Sequence, residues 1–271
     1  MNTDIVWDRS PRLFRAEVRA GRFAGPTAGR CPGYVQANVV IVPQAYADEF
    51  GEFCRLNAQA CPLVDRLPSG STVPAVAADA DMRTDVPRYR IFRDGIAEPI
   101  ERESVVDRWR DDLVTFLLGC SFTFETALAE AGLPVRHVEE GRNVSMYRTT
   151  RMCTTAGRFA GPLVVSMRPY RPEQVDAVVK ITGSYPTMHG APVHIGDPAA
   201  LGIRDLARPD FGDPVTIRAG EIPLFWACGV TPQLALAAAR PEIAITHSPG
   251  RMLVTDLRDQ EFFEPNAGKT S

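Results

Sequence analysis

The pattern that most constrains this chain is a strand–turn–helix unit written twice. Residues 114–132, VTFLLGCSFTFETALAEAG, run from an apolar stretch through Gly119, Cys120 and Ser121 into a helix-like segment. The design recurs 108 residues later as LFWACGVTPQLALAAAR, which sets Cys228 on Cys120, Thr231 on Thr123 and Gln233 on Glu125. Small residues at such a turn let backbone amides face a ligand at a helix N-terminus, where the dipole favours an anion. Two further echoes keep the same order: AGRFAGP at 20–26 and again at 156–162, and Gly141-Arg142 against Gly250-Arg251. A seven-residue identity argues against chance, so the sequence reads as an internal duplication of one α/β unit.

Strand-like and helix-like runs alternate around the two turns. Ser10 and Pro11 open an amphipathic helix over 10–20. VQANVVIVP (35–43) has the β-branched bias of a buried strand, and 45–59 reads as a second helix. RYRIF ends at Asp94-Gly95, a hairpin signal. Residues 135–150 read as strand, acidic turn and strand, and 241–257 read the same way. A strand over 161–170 and a helix over 171–186 complete the alternation. The expected fold is α/β, with mixed sheets in two related halves, 1–150 and 151–271, and the site at their junction.

Composition narrows the function. A net charge of −3 gives no electrostatic reason to expect nucleic acid or an anionic membrane as partner. No run approaches the ~18 apolar residues of a membrane span. The acidic opening MNTDIVWDRSPRLFR lacks an apolar signal core, which predicts a cytoplasmic protein. Six cysteines without CxxC spacing argue against a zinc or disulfide framework. The phosphate-cradling and nucleophile-elbow motifs are missing, so no nucleotide cofactor is expected.

Candidate chemistry falls on a few residues. Glu125 and Glu221 stand in apolar surroundings, where burial would raise a carboxyl pKa toward general acid or base duty. His189 and His247, in loops shaped by glycine and proline, join them as acid–base candidates, and His137 lies near the position matching His247. Arg148 and Arg168 follow strand-like runs, where a guanidinium suits a carboxylate. With Cys120, Ser121, Cys228 and Thr231 at the turns they form the expected substrate-binding set. The two thiols read better as buried packing groups than as ligands. A divalent metal is weighed at His189, His194 and Asp197 in HGAPVHIGDP, against plain hydrogen-bonding roles, because Pro192 excludes a helical pair.

Several strings stand together: PGYVQAN (32–38), RTDVPRYR (83–90), WRDDLVTFLLGCSFTFE (109–125), RHVEEGRNVSMYRT (136–149), HGAPVHIGDP (189–198), FWACGVTPQ (225–233) and THSPGRMLVTD (246–256). From about Arg15 to Asp256 the chain resembles the bacterial "putative hydro-lyase" family, whose relatives include the N-terminal region of mitochondrial D-glutamate cyclase. The resemblance implies a carbon–oxygen or carbon–nitrogen lyase acting on a small carboxylic or amino acid. Conversion of D-glutamate to 5-oxo-D-proline is the specific candidate. A non-catalytic carboxylate-binding or regulatory protein is the rival reading, and a homo-oligomer stays open.

Overall fold

Ser10 caps helix α1 (Pro11–Arg19), accepting the Leu13 N–H at 3.5 Å. Strand β1 (Tyr34–Pro43) leads into α2 (Gln44–Leu56) and β2 (Leu63–Arg66). A hairpin of β3 (Tyr89–Arg93) and β4 (Ile96–Ala97) turns at Asp94 and Gly95, both at positive φ. β5 (Leu113–Leu118) runs through a 3-10 turn into α3 (Glu125–Glu130) and then α4 (Arg136–Glu139). β6 (Ser145–Met152), β7 (Pro162–Tyr170), α5 (Val175–Gly183), β8 (His194–Ile195) and β9 (Ile222–Ala227) follow. The chain closes with α6 (Thr231–Ala239), β10 (Ala244–His247) and β11 (Leu253–Arg258). The computed structural model describes residues 10–265.

These strands form two sheets. The larger has the order β2-β5-β1-β10-β3-β4, with β11 against the first part of β1, and the smaller has the order β6-β7-β9-β8. β1 is the axis of the larger sheet because every residue from Val35 to Pro43 is buried. Val40 and Val42 pack with Phe50 and Phe53 of α2 and with Phe116. Ala37, Val39 and Ile41 pack on the other face with Tyr89, Ile91 and Ile245. Arg15 of α1, itself fully buried, donates to the Val254 carbonyl at 2.8 Å and pairs with Asp79 and Asp256, fastening the helix beside β11.

The α/β class is as expected, but each strand pairing is antiparallel. The two strand–turn–helix units explain why. β5 belongs to the larger sheet, and α3 and α4 carry the chain to β6 in the smaller one. β9 belongs to the smaller sheet, and α6 returns the chain to β10 in the larger. Each helix is a passage between sheets and not a crossover to a parallel neighbour. Residues 136–139, expected as strand, are the short helix α4, which turns Arg136 and His137 inward. The expected boundary at 150 falls inside β6, and β10 and β11 pair with β1. AGRFAGP takes two structures, the exit of α1 and a turn closed by an Ala156–Phe159 bridge. The structure does not confirm a duplication of halves; the likeness it retains is the strand–turn–helix passage.

The two passages meet. Cys120 and Cys228 share one apolar cluster with Val144, Met146, Val164 and Met252. The Asn38 Nδ2 donates to the Gly119 carbonyl at 2.7 Å, and its carboxamide fills the space that a Cβ on Gly229 would need. Among the described residues no helix is long and apolar enough to cross a membrane.

The Asn38 contact sets a stability test. Gly229→Ala is expected to cost about 1–3 kcal/mol through overpacking. Combining it with Asn38→Ala should cost less than the two single losses added, because the clash is gone. Urea denaturation of the four proteins measures the coupling, and strict additivity would contradict the packing described.

Candidate active site

The turn Ser121–Phe124 and the first residue of α3 bring a carboxylate onto the smaller sheet. Glu125 is 7% exposed at its side chain, and its Oε1 accepts Nε of Arg168 at 2.9 Å and also pairs with the Nη2 of that residue. The Arg168 side chain, on β7, is fully buried. Its guanidinium also donates to the Ser121 Oγ at 3.0 Å and the Ser166 Oγ at 3.3 Å. The Phe124 and Trp226 rings flank it at 5.4 and 5.3 Å. From α4, His137 places Nε2 at 3.2 Å from the same Glu125 oxygen, close enough for charge attraction but outside hydrogen-bond geometry, with its ring stacked on Phe122. The other carboxylate oxygen, Oε2, is buried without a partner.

Electrostatics set the state of this carboxylate. Burial pushes the Glu125 pKa up, but His137 and Arg168 together outweigh burial and hold it below the usual carboxylate value. Glu125 is therefore an ionised base and not the raised-pKa acid that its apolar sequence context suggested. It forms part of the wall of a cavity of about 190 Å³, with Gln36, Phe122, Thr126, Val135 and Arg30 among its neighbours. The Gln36 Nε2 donates to Thr27 and Arg30 carbonyls, while its Oε1 is buried without a partner. An ionised carboxylate, an imidazole in contact with it and unpartnered oxygens at an apolar cavity can accept, pass and return a proton.

Of the residues singled out in the sequence, Ser121, Glu125 and Arg168 come together here. Glu221 does not: its carboxylate is gripped by Arg136, Nη2 to Oε1 at 2.6 Å and Nη1 to Oε2 at 3.1 Å, and accepts the Arg218 N–H. Burial would raise its pKa, yet these partners lower it, so Glu221 is a structural ion-pair member. Arg148 is exposed and faces Asp210 at 3.7 Å. The Thr231 Oγ1 accepts the Val164 N–H at 3.0 Å and so ties α6 to β7. Cys120 and Cys228 are thiols, their pKa values pushed up by burial to about 12 and about 11. Both pack in one apolar cluster.

The histidines separate. His189, at positive φ, is buried and donates from Nδ1 to the Gln59 carbonyl at 2.7 Å. His194 donates from Nε2 to the Asp197 carbonyl at 2.7 Å, while the Asp197 carboxylate caps the Ala199 N–H. His189, His194 and Asp197 thus each serve the backbone. Among the described residues no group of three His, Cys, Asp or Glu side chains is placed to hold a metal ion. His247 is fully buried between β10 and β1, where Nδ1 accepts the Val39 N–H at 3.0 Å and Nε2 has no partner. Sequence reasoning underweighted His137 and missed Ser166; the SxR spacing in VVSMR, which puts both side chains on one face of a strand, was the available signal for Ser166.

A buried charged cluster beside a cavity thus sits at the passage between the two antiparallel sheets of an α/β scaffold. The chain belongs to the D-glutamate cyclase family, whose model matches residues 114–256 and so spans both passages. A "putative hydro-lyase" of Rubrobacter xylanophilus is 58% identical over 251 residues, 92% of this chain and 96% of its own. One of Bacillus licheniformis is 54% identical over 95% of this chain and 98% of its own length. One of Bordetella pertussis is 56% identical over 90% and 88%.

The buried histidines predict how stability depends on pH. Burial is the main cause that lowers His189 and His247 from 6.5 to about 4. Between those values the unfolded chain binds more protons, so stability rises with pH there, by about 1.4 kcal/mol per unit for each histidine. Below 4.5, Glu125 and Glu221 add to the loss, because their folded pKa values lie lower still. Denaturation midpoints across this range should fall with acid. His247→Asn, which keeps an acceptor for Val39, should remove one histidine's share; an unchanged slope would refute the assignment.

Proposed function

We propose that this chain is a lyase acting on a small carboxylic or amino acid, with cyclisation of D-glutamate to 5-oxo-D-proline as the specific reaction. The observation that carries the reading is Glu125: ionised, held at one oxygen by Arg168 with the His137 imidazole 3.2 Å away, unpartnered at the other, and set in a cavity wall. In the cyclisation the α-nitrogen attacks the side-chain carboxyl carbon, a C–N bond forms and a C–O bond breaks. The ammonium sheds two protons and the departing oxygen takes up two, leaving as water. A proton carrier beside the reacting atoms is what such a step needs. Glu125 Oε2 takes the proton from nitrogen, and His137 supports its transfer to the leaving oxygen. Arg168 keeps Glu125 ionised and fixes its direction.

The names carried by the relatives, together with the family to which the chain belongs, support lyase chemistry. The test is proton NMR of the purified protein with D-glutamate, L-glutamate and 5-oxoproline. Stereospecific interconversion of D-glutamate and 5-oxoproline is expected. Glu125→Gln and His137→Asn should each lower kcat by about 10²–10⁴-fold. Glu221→Gln should cost stability and leave kcat close to that of the wild type. His137→Asn keeps Arg168 neutralised, so it remains informative if Glu125→Gln fails to fold. Ligand line broadening without turnover would replace the lyase by a carboxylate-binding protein.

A further inference from the structure

Glu125 and Gln233 hold equivalent places in the two passages, and each grips an arginine on a neighbouring strand. Glu125 neutralises Arg168. Gln233, 3% exposed in the first turn of α6, accepts Nη1 of Arg90 at 3.2 Å and donates to the His247 carbonyl at 2.9 Å. A carboxamide orients a guanidinium but leaves its charge in place. Arg90 makes no ion pair among the described residues, and neither does Arg251, whose Nε donates to the Ala24 carbonyl at 3.0 Å.

Both arginines line a cavity of about 280 Å³, distinct in its lining from the one beside Glu125. Asn143 lines it too: buried, it donates to the Pro249 carbonyl at 3.0 Å and leaves Oδ1 without a partner. Ser248, next to Pro249 in the chain, is fully buried with an unpartnered Oγ. Gly250 and Asn143 pack closely, since a Cβ on that glycine would overlap the carboxamide. Of the two acids in the lining, Asp213 is engaged by the Asn143 N–H at 2.9 Å and Glu101 is exposed. Burial lowers the Arg90 pKa, and the Arg148 charge adds to that, against Glu101. Two part-buried guanidinium groups without carboxylate partners are a charge imbalance that an anion would relieve.

We propose that this cavity is a binding site for the carboxylate of a small organic acid, held by Arg90 and Arg251 and oriented through Gln233. The assignment goes beyond the lyase reading and does not depend on turnover at Glu125. Two guanidinium forks match the planar, two-oxygen carboxylate, and Asn143, in the same lining, supplies polar atoms for the rest of the molecule.

Calorimetric titration of the intact protein with succinate, 5-oxoproline and inorganic phosphate tests it. The carboxylates should bind, and more tightly than phosphate. Gln233→Glu, which copies the neutralised arrangement of the first passage, should weaken carboxylate binding at least about tenfold. Arg251→Gln should do the same, and Arg90→Lys, which keeps the charge but not the fork, should fall between them and the wild type. Thermal melts confirm folding, and Arg90→Lys and Arg251→Gln carry the test if Gln233→Glu does not fold. Carboxylate affinity unchanged in these variants would place the ligand elsewhere and overturn the proposal. So would phosphate binding more tightly than either acid, or no binding of any probe. Loss of turnover in Glu125→Gln bears only on the lyase reading, so the two can fail separately.

Discussion

A buried guanidinium is the constraint around which the first site is arranged. The Arg168 side chain is fully buried, and taking such a charge out of water costs several kcal/mol unless it is paired and hydrogen-bonded. Glu125 supplies the charge, Ser121 and Ser166 take further N–H groups, and Phe124 and Trp226 cover the faces. These partners come from the 3-10 turn, from α3, from β7 and from β9. Satisfying one arginine therefore fixes how the first passage sits on the smaller sheet. A pair of this kind contributes geometry more than net stability, since apolar residues of similar size could fill the same volume at less cost. That is the expectation for a group kept for its chemistry.

The second constraint is steric. The two passages approach closely enough that Asn38 serves both, donating to the Gly119 carbonyl and lying where a Gly229 side chain would begin. Gly119 is confined in turn, because a Cβ there would come within 2.9 Å of the Thr187 carbonyl. The glycines beside the cysteines in LLGCS and WACGV thus answer to close approach of backbone and side chain between two sheets. The cysteines beside them share that crowding, and burial raises the pKa of both thiols.

How much of this could be read from sequence follows from the range of each contact. The passages are legible because a strand, a small-residue turn and a helix are encoded within about 20 consecutive residues, which include Ser121 and Glu125, while Arg168 stands out separately at the end of the strand-like run VVSMR. The partners of Glu221 and His189 were not legible. Arg136 lies 85 residues from Glu221 and Gln59 lies 130 from His189, and no local pattern announces either contact. The pKa of Glu125 was misjudged for the same reason: apolar neighbours in sequence suggested desolvation alone, while the deciding charges sit on α4 and β7. His137 was obscured because RHVE was read as extended, and only a helical turn brings the residue toward α3.

The loop GPTAGRCPG joins the two cavities and separates them. Pro26 lines the one holding Arg90 and Arg251, while Gly29 to Pro32 line the one holding Glu125. Between them Thr27 is fully buried, its N–H donating to the Gly250 carbonyl at 2.8 Å and its own carbonyl accepting Gln36 at 2.8 Å. Thr27 is held by a backbone bond on one side and by the Gln36 carboxamide on the other, and breaking either would strand a buried polar group. On one side an arginine is neutralised by a carboxylate that can still handle a proton. On the other, two arginines keep their charge. Similar strand–turn–helix passages, one carrying Glu125 and the other Gln233, thus leave one arginine paired with a carboxylate and the other with a carboxamide.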